Sequence, residues 1–304
     1  MPAATMRDAQ WAFDAYQNAR HRLPTTDFPH ASQTVPDLAA LSAHFDVFLL
    51  DAFGVLNVGE TAIPGAPQRI RDLQNAGKTV MVISNAAGYP KRLLLERYAR
   101  LGYDIAPASI LTSREVILAA LARRPLAKAG MMASQIFARE ELDHLNAEFL
   151  GEDATLYDQV DEFLLFGSAE WTDQRQALLI ASLRANPRPV LVGNPDIVAP
   201  RLDGLSREPG HFAHHLANET GTAPTFFGKP FANIFDMARS RLPANIDPDR
   251  VVMVGDTLHT DILGGRVAGF KTALITGFGS LKGMDVPNAI AQSGIVPDFI
   301  MPGP

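Results

Sequence analysis

Seven short apolar runs recur along the chain, at 47–51, 79–84, 163–167, 189–193, 225–228, 251–255 and 272–276. They are apolar throughout instead of alternating with polar residues, so each predicts a strand covered on both of its faces. Segments of helical periodicity fill the gaps, at 67–75, 91–101, 114–121, 173–185, 232–242 and 261–267. Strand–helix alternation of this kind predicts an α/β fold: a doubly wound, Rossmann-like parallel sheet with helices on each side. With 304 residues, 47% of them hydrophobic, the chain is long for one domain and can bury two cores. Ahead of the first run, residues 6–22 carry Trp11, Phe13 and Tyr16 among charges, the pattern of an amphipathic helix that stops before Pro24. The Pro-, Thr- and Ser-rich stretch 23–36 reads as a linker, and the arm as a whole is expected to dock on its own core or on a second subunit.

Composition removes several function classes. The net charge of −6 offers no basic face for nucleic acid. Without cysteine there are no disulfides, thiolate nucleophiles or thiolate metal sites, so any metal must be held by oxygen or imidazole. No apolar run approaches the roughly 18 residues that cross a bilayer, and residues 1–10 lack the apolar core of a signal peptide. The expectation is a soluble, cytoplasmic protein with neither membrane nor nucleic-acid partner.

Ligands of an open parallel sheet bind just outside the carboxyl ends of its strands. Four predicted strand ends put polar residues there: Asp51 after Phe48-Leu49-Leu50, Ser84 and Asn85 after Val82-Ile83, Lys229 after Phe227-Gly228, and Asp256 after Val254-Gly255. Gly54 lets the backbone turn sharply behind Asp51. A nucleophile, a hydroxyl, an ammonium and an acid would thus converge. Each has a purely structural alternative, because Asp favours turns and helix caps, Ser caps helices and lysine is usually a surface residue. His259, near Asp256, reads as a solvated helix residue.

These residues, in this order, resemble the haloacid dehalogenase (HAD) superfamily of phosphohydrolases, and the resemblance runs from about residue 40 to 280. Asp51 matches the nucleophile, Ser84 the phosphate-binding hydroxyl, Lys229 in Gly228-Lys229-Pro230 the phosphate lysine, and Asp256 with Asp261 the acidic metal motif. Only a loop and one helix fit between Asp51 and Ser84, whereas a whole domain fits between Ser84 and Lys229. That spacing resembles subfamily IIA, the NagD-like and p-nitrophenyl-phosphatase-like members, which insert an α/β cap (a C2 cap) after the second motif. Thr112-Ser113 before a helix, Gly193-Asn194-Pro195-Asp196, and the run 261–269 add to the likeness.

The resemblance implies a helical arm and linker over 1–36, a catalytic core over 37–113 and 220–304, and a cap over 114–219. It implies Mg²⁺ held by Asp51, the main-chain carbonyl of Phe53, Asp256 and Asp261, with Lys229 clamping Asp51 and the phosphate. Ser84 and Asn85 would contact phosphate, and Asn194, Asp196 and His211 are the candidate contacts from the cap side. The partner would be a small phosphorylated metabolite. Caps of this type often dimerise, so a homodimer is open. The helix over 210–220 carries His211, His214 and His215 without a second ligand group at zinc spacing, and no zinc is expected.

Position 53 departs from the pattern. In the family's phosphatases the residue two after the nucleophile is an aspartate that protonates the leaving oxygen and then activates water, and phenylalanine does neither. Losing a positioned acid/base costs about 10²–10⁴ in rate. Three readings follow: a phosphatase that is slow or takes its proton from His259, His211 or the substrate; a non-catalytic binder of phosphometabolites or a partner; and a dehalogenase, whose loop also pairs aspartate with an aromatic but needs no metal.

Overall fold

The computed structural model describes residues 8–304 except 126, 138, 202 and 203, so the first seven residues of the expected arm lie outside it. Its larger sheet has seven parallel strands in the order Gln33–Thr34, Phe299–Met301, Lys271–Ile275, Val251–Gly255, Val47–Leu50, Thr79–Ser84, Ile110–Thr112. Successive residues of a strand point to opposite faces. Phe48 and Leu50 accordingly enter one apolar layer with Val252 and Val254, while Val47 and Leu49 enter the other with Val251 and Met253. Helices close both layers, and this two-sided burial is why the strand sequences are apolar throughout.

A second parallel sheet has five strands in the order Thr225–Phe226, Val190–Val192, Glu162–Leu165, Ala129–Met132, Ala147–Phe149. It repeats the same logic, with Phe163 and Leu165 in one layer and Leu164 and Phe166 in the other. The chain enters it through the helix Ser113–Leu121, whose N-terminus is closed by a reciprocal capping box between Thr112 and Glu115. It leaves through Thr225–Phe226, which pairs with Val190–Val192. The second core segment, expected from residue 220, therefore begins with a strand of the smaller sheet. The chain makes that last pairing before Gly228, at φ 127°, turns it back.

Three further departures concern elements that lack a long apolar signature. Gln33–Thr34, inside the expected linker, is an edge strand of the larger sheet. The helix of residues 6–22 is observed as Ala9–Ala19 followed by a tighter turn at Arg20–Arg22. The helix expected over 261–267 begins earlier, as a wide π-type turn at Leu258–Ile262 that runs into Leu263–Val267. Among the described residues, no helix is long and apolar enough to cross a membrane.

Candidate active site

The strand Val47–Leu50 lies between Val251–Gly255 and Thr79–Ser84, so the carboxyl ends of three neighbouring strands deliver Asp51, Ser84 and Asp256 to one edge. The Asp51 amide still donates to the Val254 carbonyl at 2.9 Å, which fixes the residue at the last rung of the ladder. Beyond it the backbone turns through Gly54 at φ 77°, where a Cβ would come within 2.6 Å of the Asp256 Cγ. Only a glycine allows the loop after Asp51 to lie so close against that carboxylate.

Lys229 joins the strand ends. Its ammonium, almost fully buried, donates to Asp51 Oδ1 at 2.6 Å and to Asp261 Oδ1 at 2.7 Å. Burial alone would lower its pKa, but Asp261 and Asp51 outweigh burial and hold it above the usual lysine range. Asp256 accepts from the Ser280 amide at 2.5 Å and from Thr257 Oγ1 at 3.2 Å, and Asp261 Oδ2 accepts from the Thr257 amide at 3.1 Å. Asp51, Asp256 and Asp261 each present an oxygen within 4.8 Å of the other two. Burial, followed by repulsion from Asp261 and Asp51, pushes the Asp256 carboxyl well up. Burial raises Asp261 to about 6 against the pull of Lys229. Three crowded carboxylates served by one ammonium form a site with negative charge to spare, and their hard oxygens suit a divalent cation such as Mg²⁺.

A cavity of about 550 Å³ opens above this cluster, between the two sheets, and takes in Phe53, Ser84, Asn85, Asn194 and Asp196. Ser84 is buried, and its Oγ accepts from the Ala86 amide at 3.2 Å. Asn85 is occupied on every side: Oδ1 accepts from the Lys229 amide at 2.7 Å, and Nδ2 donates to the Lys229 carbonyl at 3.0 Å and to Asp196 Oδ1 at 2.8 Å. It thus ties the lysine turn to the 193–196 loop. Asn194 shapes that loop, accepting from the Asp196 amide at 3.0 Å and donating to Glu208 at 3.2 Å. Burial raises the Asp196 carboxyl to about 7, partly opposed by Lys229 and by the bond from Asn85.

Two expectations do not hold. His211 lies outside the cavity, in a groove against the N-terminal helix with its ring 5.8 Å from Trp11. On the helix Pro209–Thr220 it is the next residue, Phe212, that faces the cavity, and one step along a helix turns a side chain by about 100°. His259 is not solvated and lies outside the cavity lining. It is buried, stacks on Tyr16 at 5.3 Å, and its Nε2 is bonded to Gln17 Oε1 at 2.7 Å. Burial lowers its pKa to about 3, which keeps the ring neutral.

The structure adds residues that strand-end reasoning passed over. Gly279 and Ser280 follow the strand Lys271–Ile275 and seat Asp256; the run Gly277-Phe278-Gly279-Ser280 was a readable signal at a fifth strand end. Arg97 lines the cavity with its Cζ 5.8 Å from the Phe53 ring centroid. Its helix, Lys91–Arg100, carries four basic residues, and only the fold selects this one. Tyr16 also lines the cavity, from a helix far away in sequence.

Comparison with known proteins places the chain in a family. Residues 48–148 match the family described as haloacid dehalogenase-like hydrolase, and residues 226–300 match a HAD-hydrolase-like family. Chronophin from Bos taurus is 31% identical over 263 residues, covering 83% of this chain and 88% of that protein. Glycerol-3-phosphate phosphatase from Homo sapiens is 30% identical over 302 residues, covering 86% of this chain and 89% of its own length. Among solved structures, a possible sugar phosphatase of the HAD superfamily from Cytophaga hutchinsonii superposes with a TM-score of 0.77 at 24% identity, covering 90% of this chain and 98% of that one. At that identity the likeness concerns the fold alone.

Proposed function

The chain belongs to the haloacid dehalogenase-like hydrolases, and on that premise we propose that it is a Mg²⁺-dependent phosphatase of a small phosphorylated metabolite, using Asp51 as nucleophile. The observation that carries this reading is Lys229, which bridges Asp51 and Asp261 at 2.6 and 2.7 Å beside a third carboxylate, Asp256. Asp51, the Phe53 carbonyl, Asp256 and Asp261 would hold the ion. When bound, it would draw charge from the phosphoryl oxygens and favour the ionised form of Asp51. The cluster of three carboxylates argues against a metal-free dehalogenase, and the name of the relative glycerol-3-phosphate phosphatase adds support.

The rest of the chemistry falls to the chain. An Asp51 oxygen bonds to phosphorus in line as the bond to the leaving oxygen breaks, and the electron pair departs with that oxygen. Lys229 and Ser84 place positive charge and a hydroxyl donor against the phosphoryl group. Water then attacks phosphorus, releasing phosphate and regenerating the Asp51 carboxylate. Phe53 supplies no proton to the leaving oxygen. Asp196, a cavity carboxyl that keeps its proton up to about pH 7, is the group we assign to that task. The cavity, about 550 Å³, suits a small metabolite.

The test is hydrolysis of nitrophenyl phosphate and of a panel of phosphorylated metabolites, with Mg²⁺ and with chelator. Metal-dependent phosphate release that is lost in Asp51→Asn supports the reading. If the wild type and Phe53→Asp both release nothing above Asp51→Asn, the reading is wrong.

A further inference from the structure

The N-terminal helix Ala9–Ala19 touches both layers of the molecule. Ala12, Tyr16 and Ala19, one stripe at i, i+4 and i+7, pack on Ile197 and Val198, immediately after the 193–196 loop. Phe13, on the adjoining stripe, packs on Leu258, Ile262 and Leu263, in the turn carrying Asp261 and at the start of the helix that follows it. Polar contacts follow the same division. Gln17 bonds to His259 at 2.7 Å and to the Gln292 carbonyl at 3.0 Å on the core side, and Arg22 donates to Asn218 at 2.6 Å on the cap side. The helix is a wedge between the loop of Asp196 and the turn of Asp261.

Tyr16 stands at the point of that wedge. Its ring stacks on His259, and its hydroxyl accepts a hydrogen bond from the Ile197 amide at 3.1 Å. Since the oxygen is already an acceptor there, the O–H remains to be donated, and the residue lines the cavity together with Asp51, Asp196 and Asp256. The phenol stays protonated, because burial and then the charges of Asp196, Asp261 and Asp256 raise it well above its usual range.

We propose that the N-terminal helix completes the active site: Tyr16 holds the Asp196 loop against the Asp261 turn and donates its hydroxyl proton as a hydrogen bond to bound substrate. The donor half of this proposal rests on the phosphatase reading above; the clamping half does not. An acceptor-rich phosphorylated metabolite provides the oxygens such a phenol would contact.

Tyr16→Phe removes only the hydroxyl and keeps the ring stacked on His259. With Mg²⁺ and the best phosphomonoester of the panel, KM is expected to rise about tenfold, as for one lost hydrogen bond, with kcat changed much less. Amide hydrogen exchange at residues 194–197 is expected to accelerate, while Gln10→Ala, on the exposed side of the same helix, leaves both quantities unchanged. A wild-type KM in Tyr16→Phe overturns the proposal. If the wild-type protein hydrolyses no phosphomonoester, the phosphatase reading falls. Exchange then decides alone: faster exchange at 194–197 supports the clamp, and unchanged exchange overturns it.

Discussion

The ring of Phe53 lies beside the Arg97 guanidinium, which is itself bridged to Glu60 at 2.8 Å. A carboxylate introduced at position 53 would therefore meet a cation and be held ionised, the wrong state for a proton donor. Phe53→Asp is expected to raise kcat/KM by clearly less than the 10²–10⁴ of a well-placed acid, and combining it with Arg97→Met to raise it further; rates on an alkyl and a nitrophenyl phosphate measure both. Asp196→Asn, which can still accept from Asn85, is expected to slow the alkyl ester at least tenfold and the nitrophenyl ester little, since nitrophenolate leaves without a proton. The same residue sets a pH dependence of stability. Unfolded, Asp196 ionises near pH 4, whereas folded it keeps its proton to about 7. The folded state thus binds the extra proton in that window, and stability falls as pH rises from about 4 to 7, then levels. Urea midpoints should show this slope reduced in Asp196→Asn. Gly54→Ala should destabilise by about 1–3 kcal/mol, because φ 77° and the contact with Asp256 both oppose a Cβ. Thermal melts with and without Mg²⁺ test it, and weaker stabilisation by the ion is expected in the variant.

Among the elements, the longer ones were the more legible. Thr79–Ser84, Val251–Gly255 and the helix Asp173–Ala185 have the bounds that their patterns predict, because burial by two layers leaves an unbroken apolar run, and the helix opens on the Thr172 cap and stops before Asn186-Pro187. Gln33–Thr34, Ile110–Thr112, Ala129–Met132, Ala147–Phe149 and Phe299–Met301 were among those missed. They are two to four residues long, and partners far away in sequence decide that they pair at all. The wide turn Leu258–Ile262 was missed for another reason: Asp261 folds back to accept from the Thr257 amide, and that contact between site residues, not helix propensity, sets the local winding. The site was legible to the same degree. Asp51, Ser84, Lys229 and Asp256 could be read because strand ends converge in any parallel sheet. His211 was misplaced, and Tyr16 and Arg97 went unnoticed, because helix rotation and contacts between distant segments leave no mark in a linear pattern.

At the scale of the whole molecule, two parallel-sheet layers meet over one cavity, and three chain segments fasten them: Asn85 to Asp196, Arg114 to the Ala87 carbonyl and Glu141, and the N-terminal helix to both layers. The chemistry proposed for the cavity has a kinetic signature that a bystander carboxylate would lack. With Phe53 in place of an acid/base, the step that hydrolyses phosphorylated Asp51 has lost its activator of water, and nitrophenolate, which needs no proton to leave, should depart faster than phosphate. Rapid mixing with nitrophenyl phosphate and Mg²⁺, followed by acid quenching and peptide mass analysis, tests this most directly. A burst of about one nitrophenolate per chain with a phosphoryl group on Asp51 is expected, and neither in Asp51→Asn. Steady turnover with Asp51 unmodified, or the same turnover in Asp51→Asn, would contradict this chemistry.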